Sequence, residues 1–154
     1  MAGTLTNMLG EYLFEQRVRA DRTGLEKWAV QTAPSLYSVD MDKVSDYLSQ
    51  AGNELSGRVL LLDSDGKVQG DSFGEMNGTC LAFPEVASIL VQGRTGDYGV
   101  HSLSGETVNT PEILLQRRAG DGWVSLCTAG IVHASQVIGV LVLVSSVNEM
   151  MQNL

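Results

Sequence analysis

The spacing of apolar residues changes once along this 154-residue chain, near Arg58, and any fold has to satisfy both regimes. Before the change the spacing is helical. Leu5, Met8, Leu9, Tyr12 and Leu13 fall at i, i+3, i+4, i+7 and i+8, and Leu25, Trp28 and Ala29 resume that period until Pro34 interrupts it. This predicts one long helix over residues 5–32, with a polar, exposed or slightly kinked middle from Gln16 to Gly24. Val44, Tyr47, Leu48 and Ala51 predict a second helix over 41–51, started by Asp40 or Asp42 and stopped by Gly52.

After the change the pattern is that of strands. Arg58-Val59-Leu60-Leu61-Leu62 and Lys67-Val68-Gln69-Gly70-Asp71 flank Asp63-Ser64-Asp65-Gly66, whose glycine and aspartates suit a hairpin turn. Gly74 to Cys80 reads as loop. Pro84-Glu85-Val86 opens a short helix with proline in its first turn, and Gly93 ends it. Three more strands are expected over 98–103, 123–132 and 136–144. Thr110-Pro111-Glu112 predicts a small inserted helix over 111–119, and Ser146-Val147-Asn148-Glu149 reads as the capping box of a last one. The order α-α-β-β-α-β-(α)-β-β-α predicts an α+β fold: a central antiparallel five-stranded sheet with a long N-terminal helix and a short C-terminal one. Residues 1–154 form one domain on this reading, with helices over 5–52, a sheet core over 58–144 and the start of an exit helix over 146–154.

Charge and composition remove several function classes. Ten Lys and Arg against eighteen Asp and Glu leave a net charge of −8, which disfavours nucleic acid and anionic lipid as partners. The longest apolar run, Val137 to Val144, is far short of the ~20 residues of a membrane helix, and the first residues lack a signal-peptide pattern. Cys80 and Cys127 have no CxxC spacing and read as two separate small apolar thiols. Asp63, Asp65 and Asp71 lack the third close ligand and the terminal Glu of a calcium loop, so a hairpin turn accounts for them and no metal is expected. His101 and His133, the two histidines, announce no catalytic triad, and no Gly-x-Ser-x-Gly occurs. The expectation is a module without catalytic residues or cofactors. Asn77-Gly78-Thr79 and the glycines at 93, 96 and 99 are explained by turns rather than by glycosylation or phosphate binding.

The hairpin Val59 to Val68, the run Gly78-Thr79-Cys80-Leu81-Ala82-Phe83-Pro84-Glu85-Val86 with its Gln92-Gly93 end, and the pair Ala129-Gly130-Ile131-Val132 and Val137-Ile138-Gly139-Val140-Leu141 occur in that order between two terminal helices. Together they resemble the extracytoplasmic PAS-like or Cache sensor domains of bacterial transmembrane sensor histidine kinases. The resemblance implies a signal-sensing, ligand-binding module on the outer face of the cell membrane, reaching the membrane only through flanking segments, with kinase activity in another part of the parent. Both ends then read as cut from a longer chain. Neither the Arg-x-x-His pair of citrate and dicarboxylate sensors nor the residue set of amino-acid-binding relatives is present, so the resemblance carries over no ligand residue.

Strand alternation supplies a candidate pocket. Trp123, Ser125 and Cys127 share one face of their strand, and Tyr98 and His101 lie on the neighbouring one, a mix of polar and aromatic groups suited to a small molecule of unknown class. The stripe from Leu5 to Leu13 predicts a homodimer through the N-terminal helix. The rival reading is a cytosolic roadblock-type dimeric adaptor that binds small GTPases; the hairpin and closing strands suit it, the two leading helices do not.

Overall fold

The computed structural model describes residues 2–75, 77–102 and 122–147. α1 (Ala2–Tyr37) and α2 (Met41–Leu55) precede a hairpin of β1 (Arg58–Leu62) and β2 (Val68–Asp71). Then come α3 (Pro84–Leu90), β3 (Gly96–Ser102), β4 (Trp123–His133) and β5 (Gln136–Ser146). The five strands form one sheet in the order β2-β1-β5-β4-β3, with every neighbouring pair antiparallel. The α+β expectation therefore holds, and so does each expected strand. The helix expected over 111–119 and the segment after Val147 lie outside the described residues.

Each face of the sheet has its own apolar core. On one face Leu25, Trp28, Ala29 and Ala33 of α1 and Val44, Leu48 and Ala51 of α2 pack on Val59, Leu61, Ile131, Leu141 and Leu143. On the other, Phe83, Val86 and Ile89 cover Leu60, Leu62, Val124, Leu126, Val140 and Val142. Burial on both sides is why β1 and β5 read as unbroken apolar runs instead of alternating.

Several boundaries differ from expectation, β3 beginning at Gly96 and α1 at Ala2 among them. α1 runs through Pro34 to Tyr37. The carbonyl that loses its N–H partner belongs to Val30, which is exposed and can turn to water, while Thr32, Ala33 and Ser35 beside the proline are buried on the sheet. α2 continues past Gly52 to a cap at Ser56 in the left-handed region, and Gly57 N–H donates to the Gly52 carbonyl at 3.1 Å. Gly52 is a point of close approach, since a Cβ there would lie 3.0 Å from the Gly57 carbonyl oxygen. β5 extends to Ser146, which pairs with Val124.

Candidate functional site

Glu85, on the first turn of α3, is the one residue of that turn whose charge points inward. Proline at the first position starts the helix with φ already set, and the inward period of Glu85, Val86, Ser88 and Ile89 turns the carboxylate onto the sheet. Its backbone is pinned there: Thr128 Oγ1 of β4 donates to the Glu85 carbonyl at 2.8 Å, and Ser88 Oγ at 3.0 Å. The carboxylate oxygen Oε1 lies 2.6 Å from His101 Nε2 of β3, while Oε2 is buried with no hydrogen-bond partner among the described residues. Phe83 flanks the imidazole with ring centroids 5.5 Å apart. The histidine side chain is 26% exposed and the glutamate 7%, so the pair meets solvent from the histidine side.

Room for this carboxylate comes from Gly99. A Cβ at that position would lie 1.7 Å from Glu85 Oε1, so a glycine directly beneath is a steric requirement of the pair. Strand alternation marks His101 but not Glu85, for which the signal is a charged residue inside the apolar setting Phe83-Pro84-Glu85-Val86.

The five residues expected to line one pocket are divided by the sheet. Tyr98 pairs with Cys127, and the pairs Val100 with Ser125 and Ser102 with Trp123 follow on the same face, the one α1 covers. His101 pairs with Val124 and therefore points to the opposite face, toward α3. Tyr98 and His101 are three residues apart on one strand, so alternation cannot put them together.

Of the four on the α1 face, Tyr98, Ser125 and Cys127 form a polar inclusion in an apolar interface, whereas Trp123 at the strand end is exposed. Tyr98 meets Phe14 of α1 edge-on at 6.1 Å, and its hydroxyl is buried near that of Ser125. Burial pushes the Tyr98 phenol above its ordinary range, with the Ser125 hydroxyl pulling weakly the other way. Cys127 is pushed up to about 12, chiefly by burial and further by the carboxylate of Asp21. Asp21 itself is raised by burial, against which Arg17, 3.7 Å away, works only in part. These groups lie under a helix, which makes them parts of a helix-to-sheet contact.

Other features resolve as turns or struts. Asp63 accepts from the Asp65 and Lys67 amides and from Gln69 Nε2, which is hairpin-turn chemistry. Asp71 pairs with Arg58 and accepts from the Phe73 and Glu75 amides. Among the described residues no cluster of three or more His, Cys, Asp or Glu could hold a metal, and no helix is long and apolar enough to cross a membrane. A groove of about 340 Å³ along α1, lined by Ala29, Ala33, Gly130 and Val132 with Glu26 as its single charge, lacks the convergent polar groups of a ligand site.

No protein-family model matches the chain, and no curated protein matches it by sequence. Among solved structures it is similar to the sensor domain of the Vibrio cholerae histidine kinase DctB, at 15% identity and a TM-score of 0.59, over 97% of this chain and 59% of that one. It is also similar to the Escherichia coli DcuS sensor domain, at 12% identity and a TM-score of 0.49, over 87% and 97% of the two chains. The chain thus spans about three-fifths of the DctB sensor domain. The DctB likeness defines the fold.

Proposed function

We propose that this chain is the extracytoplasmic sensing module of a transmembrane sensor histidine kinase, and that it binds its signal non-covalently on the α3 face. The observation that carries this reading is the fold shared with the DctB sensor domain across nearly the whole chain. On this reading the module performs no chemistry, and phosphotransfer belongs to another part of the parent. A ligand held at His101 and Glu85 would act on α3, which the Thr128 bond ties to β4. β4 carries α1 on its other face and pairs with β5, whose end at Ser146 leads out of the sheet. One strand is thus common to the ligand side, the entry helix and the exit segment, so a change in its packing biases both connections together.

The test is sidedness. Cys80 is exposed, and Cys127 is buried with its thiol held protonated, so a thiol reagent reports Cys80 alone. A membrane-impermeant maleimide added to intact spheroplasts should label Cys80 of the parent protein. Labelling that requires lysis would put the module inside the cell and end this reading.

A further inference from the structure

We infer that the Glu85–His101 site takes an organic cation carrying N–H donors, a primary ammonium or a guanidinium; this rests on the reading of the α3 face as the ligand face. The carboxylate is held where it is by independent devices: the Thr128 and Ser88 hydroxyls on its backbone carbonyl, and a glycine at position 99 that clears its space. Yet one oxygen is left over. Oε1 has His101, and Oε2 is buried without a donor among the described residues, on a side chain that is 7% exposed. A buried acceptor without a donor is costly, more so when it carries charge.

Asp71 shows what full pairing of a buried carboxylate looks like in this chain, and Asp21, whose Oδ2 is also buried without a hydrogen bond among the described residues, at least has Arg17 3.7 Å away. Asp71, whose side chain is fully buried, has donors on both oxygens: Arg58 Nε and the Phe73 amide on Oδ1, Arg58 Nη2 and the Glu75 amide on Oδ2. Glu85 has no lysine or arginine bonded to it among the described residues. The unpartnered oxygen therefore calls for a donor from outside, and a positive one completes the site best because charge-assisted bonds are the strong ones. A carboxylate ligand would instead meet Glu85 as a like charge on a protein that already carries −8.

The experiment is a binding panel on the whole 154-residue chain: putrescine, agmatine and tyramine as cations, with succinate, citrate and phosphate as anions, each read by thermal shift and calorimetry. At least one cation should bind saturably and raise Tm by about 5 °C or more at a hundredfold excess over its Kd. Glu85→Gln, which keeps the size and loses the charge, should abolish that shift, and Glu85→Asp, which draws the charge back by one methylene, should weaken binding about tenfold. Should Glu85→Gln fail to fold, Glu85→Asp decides alone. Cation binding untouched by these substitutions, binding of anions only, or binding of none of the six overturns the assignment. None of those results alters the spheroplast labelling, so the sensor reading stands or falls separately.

Discussion

Gly99 shows how far a single position can control the site from beneath it. Gly99→Ala puts a methyl carbon where Glu85 Oε1 now lies. The far end of a glutamate can swing aside, so the fold should survive with a loss of about 1–2 kcal/mol in urea denaturation, the worth of a displaced hydrogen bond. The His101 bond should not survive. Its imidazole nitrogen resonances should move while those of His133 stay, and an unchanged His101 spectrum would mean that Glu85 has another way to reach it. Asp21 gives a second residue-scale outcome, through pH. Burial raises its pKa above 3.8, so the folded chain holds that proton more tightly than the unfolded chain does. Its contribution to stability is full below 3.8 and is lost as pH rises through the folded value. Asp21→Asn should melt higher than the parent protein at pH 7, with the gap closing as pH falls through the folded value toward 3.8; a gap constant over that range would remove Asp21 from the balance. At this scale the sequence was partly legible. His101 stood out because histidines are few, and alternation on β4 grouped Trp123, Ser125 and Cys127 as the sheet does. The opposite parity of Tyr98 and His101 was equally readable and argued against placing them in one pocket. Glu85 was not readable as their substitute, because its partner lies across a loop and a strand, and one sequence does not show which α3 residue faces which β3 residue.

Among the elements, the β4–β5 hairpin holds the clearest conflict between local preference and tertiary demand. His133 pairs with Gln136, leaving a two-residue turn in which Ala134 and Ser135 both have positive φ, at 50° and 64°. Such a turn matches the strand twist but favours Asn-Gly, and alanine in the left-handed region costs roughly 1–2 kcal/mol. Tyr37 at the end of α1 stacks on His133 with centroids 3.7 Å apart, tying the turn to the helix terminus. The double replacement Ala134→Asn with Ser135→Gly should stabilise the chain by about 1 kcal/mol and raise Tm by a few degrees; a lower Tm would mean that the present pair makes a contact worth more than the strain it carries. Among the described residues element types were legible, since apolar period distinguishes helix from strand before any tertiary contact is known. Their ends were less so. Pro34 reads as a stop, and only the burial of Thr32, Ala33 and Ser35 on the sheet explains why the helix passes through it.

At the scale of the whole molecule, α1 is longer than the sheet it covers. Its 36 residues span about 54 Å, and the residues buried against the sheet begin at Asp21 and lie in its second half. In the first half Leu5, Met8, Leu9, Tyr12 and Leu13 remain 53–72% exposed on one stripe. Five large apolar side chains in a row are more than a solvated helix end usually shows, and their spacing suits a second helix laid alongside. In the proposed receptor that partner is the same helix of a second subunit, related by a two-fold axis, so that the two entry stems run parallel. The energetics set the expected strength. Covering what each side chain still exposes contributes roughly 1 kcal/mol, so two stripes of five give about 10 kcal/mol against an association cost of about 4–15 kcal/mol. The isolated chain should therefore pair weakly, whereas membrane-tethered subunits, held at a high effective concentration, should pair well. The measurement is cross-linking of the full-length parent in membranes after Cys80 and Cys127 have been replaced. Single cysteines at Leu5, Met8, Leu9 and Tyr12 should bridge readily, and a cysteine at Glu11, off the stripe, should bridge several-fold less. Bridging that is uniform along the helix, or absent at all of these positions, would leave the stripe without its partner and the signal without a paired stem to travel through.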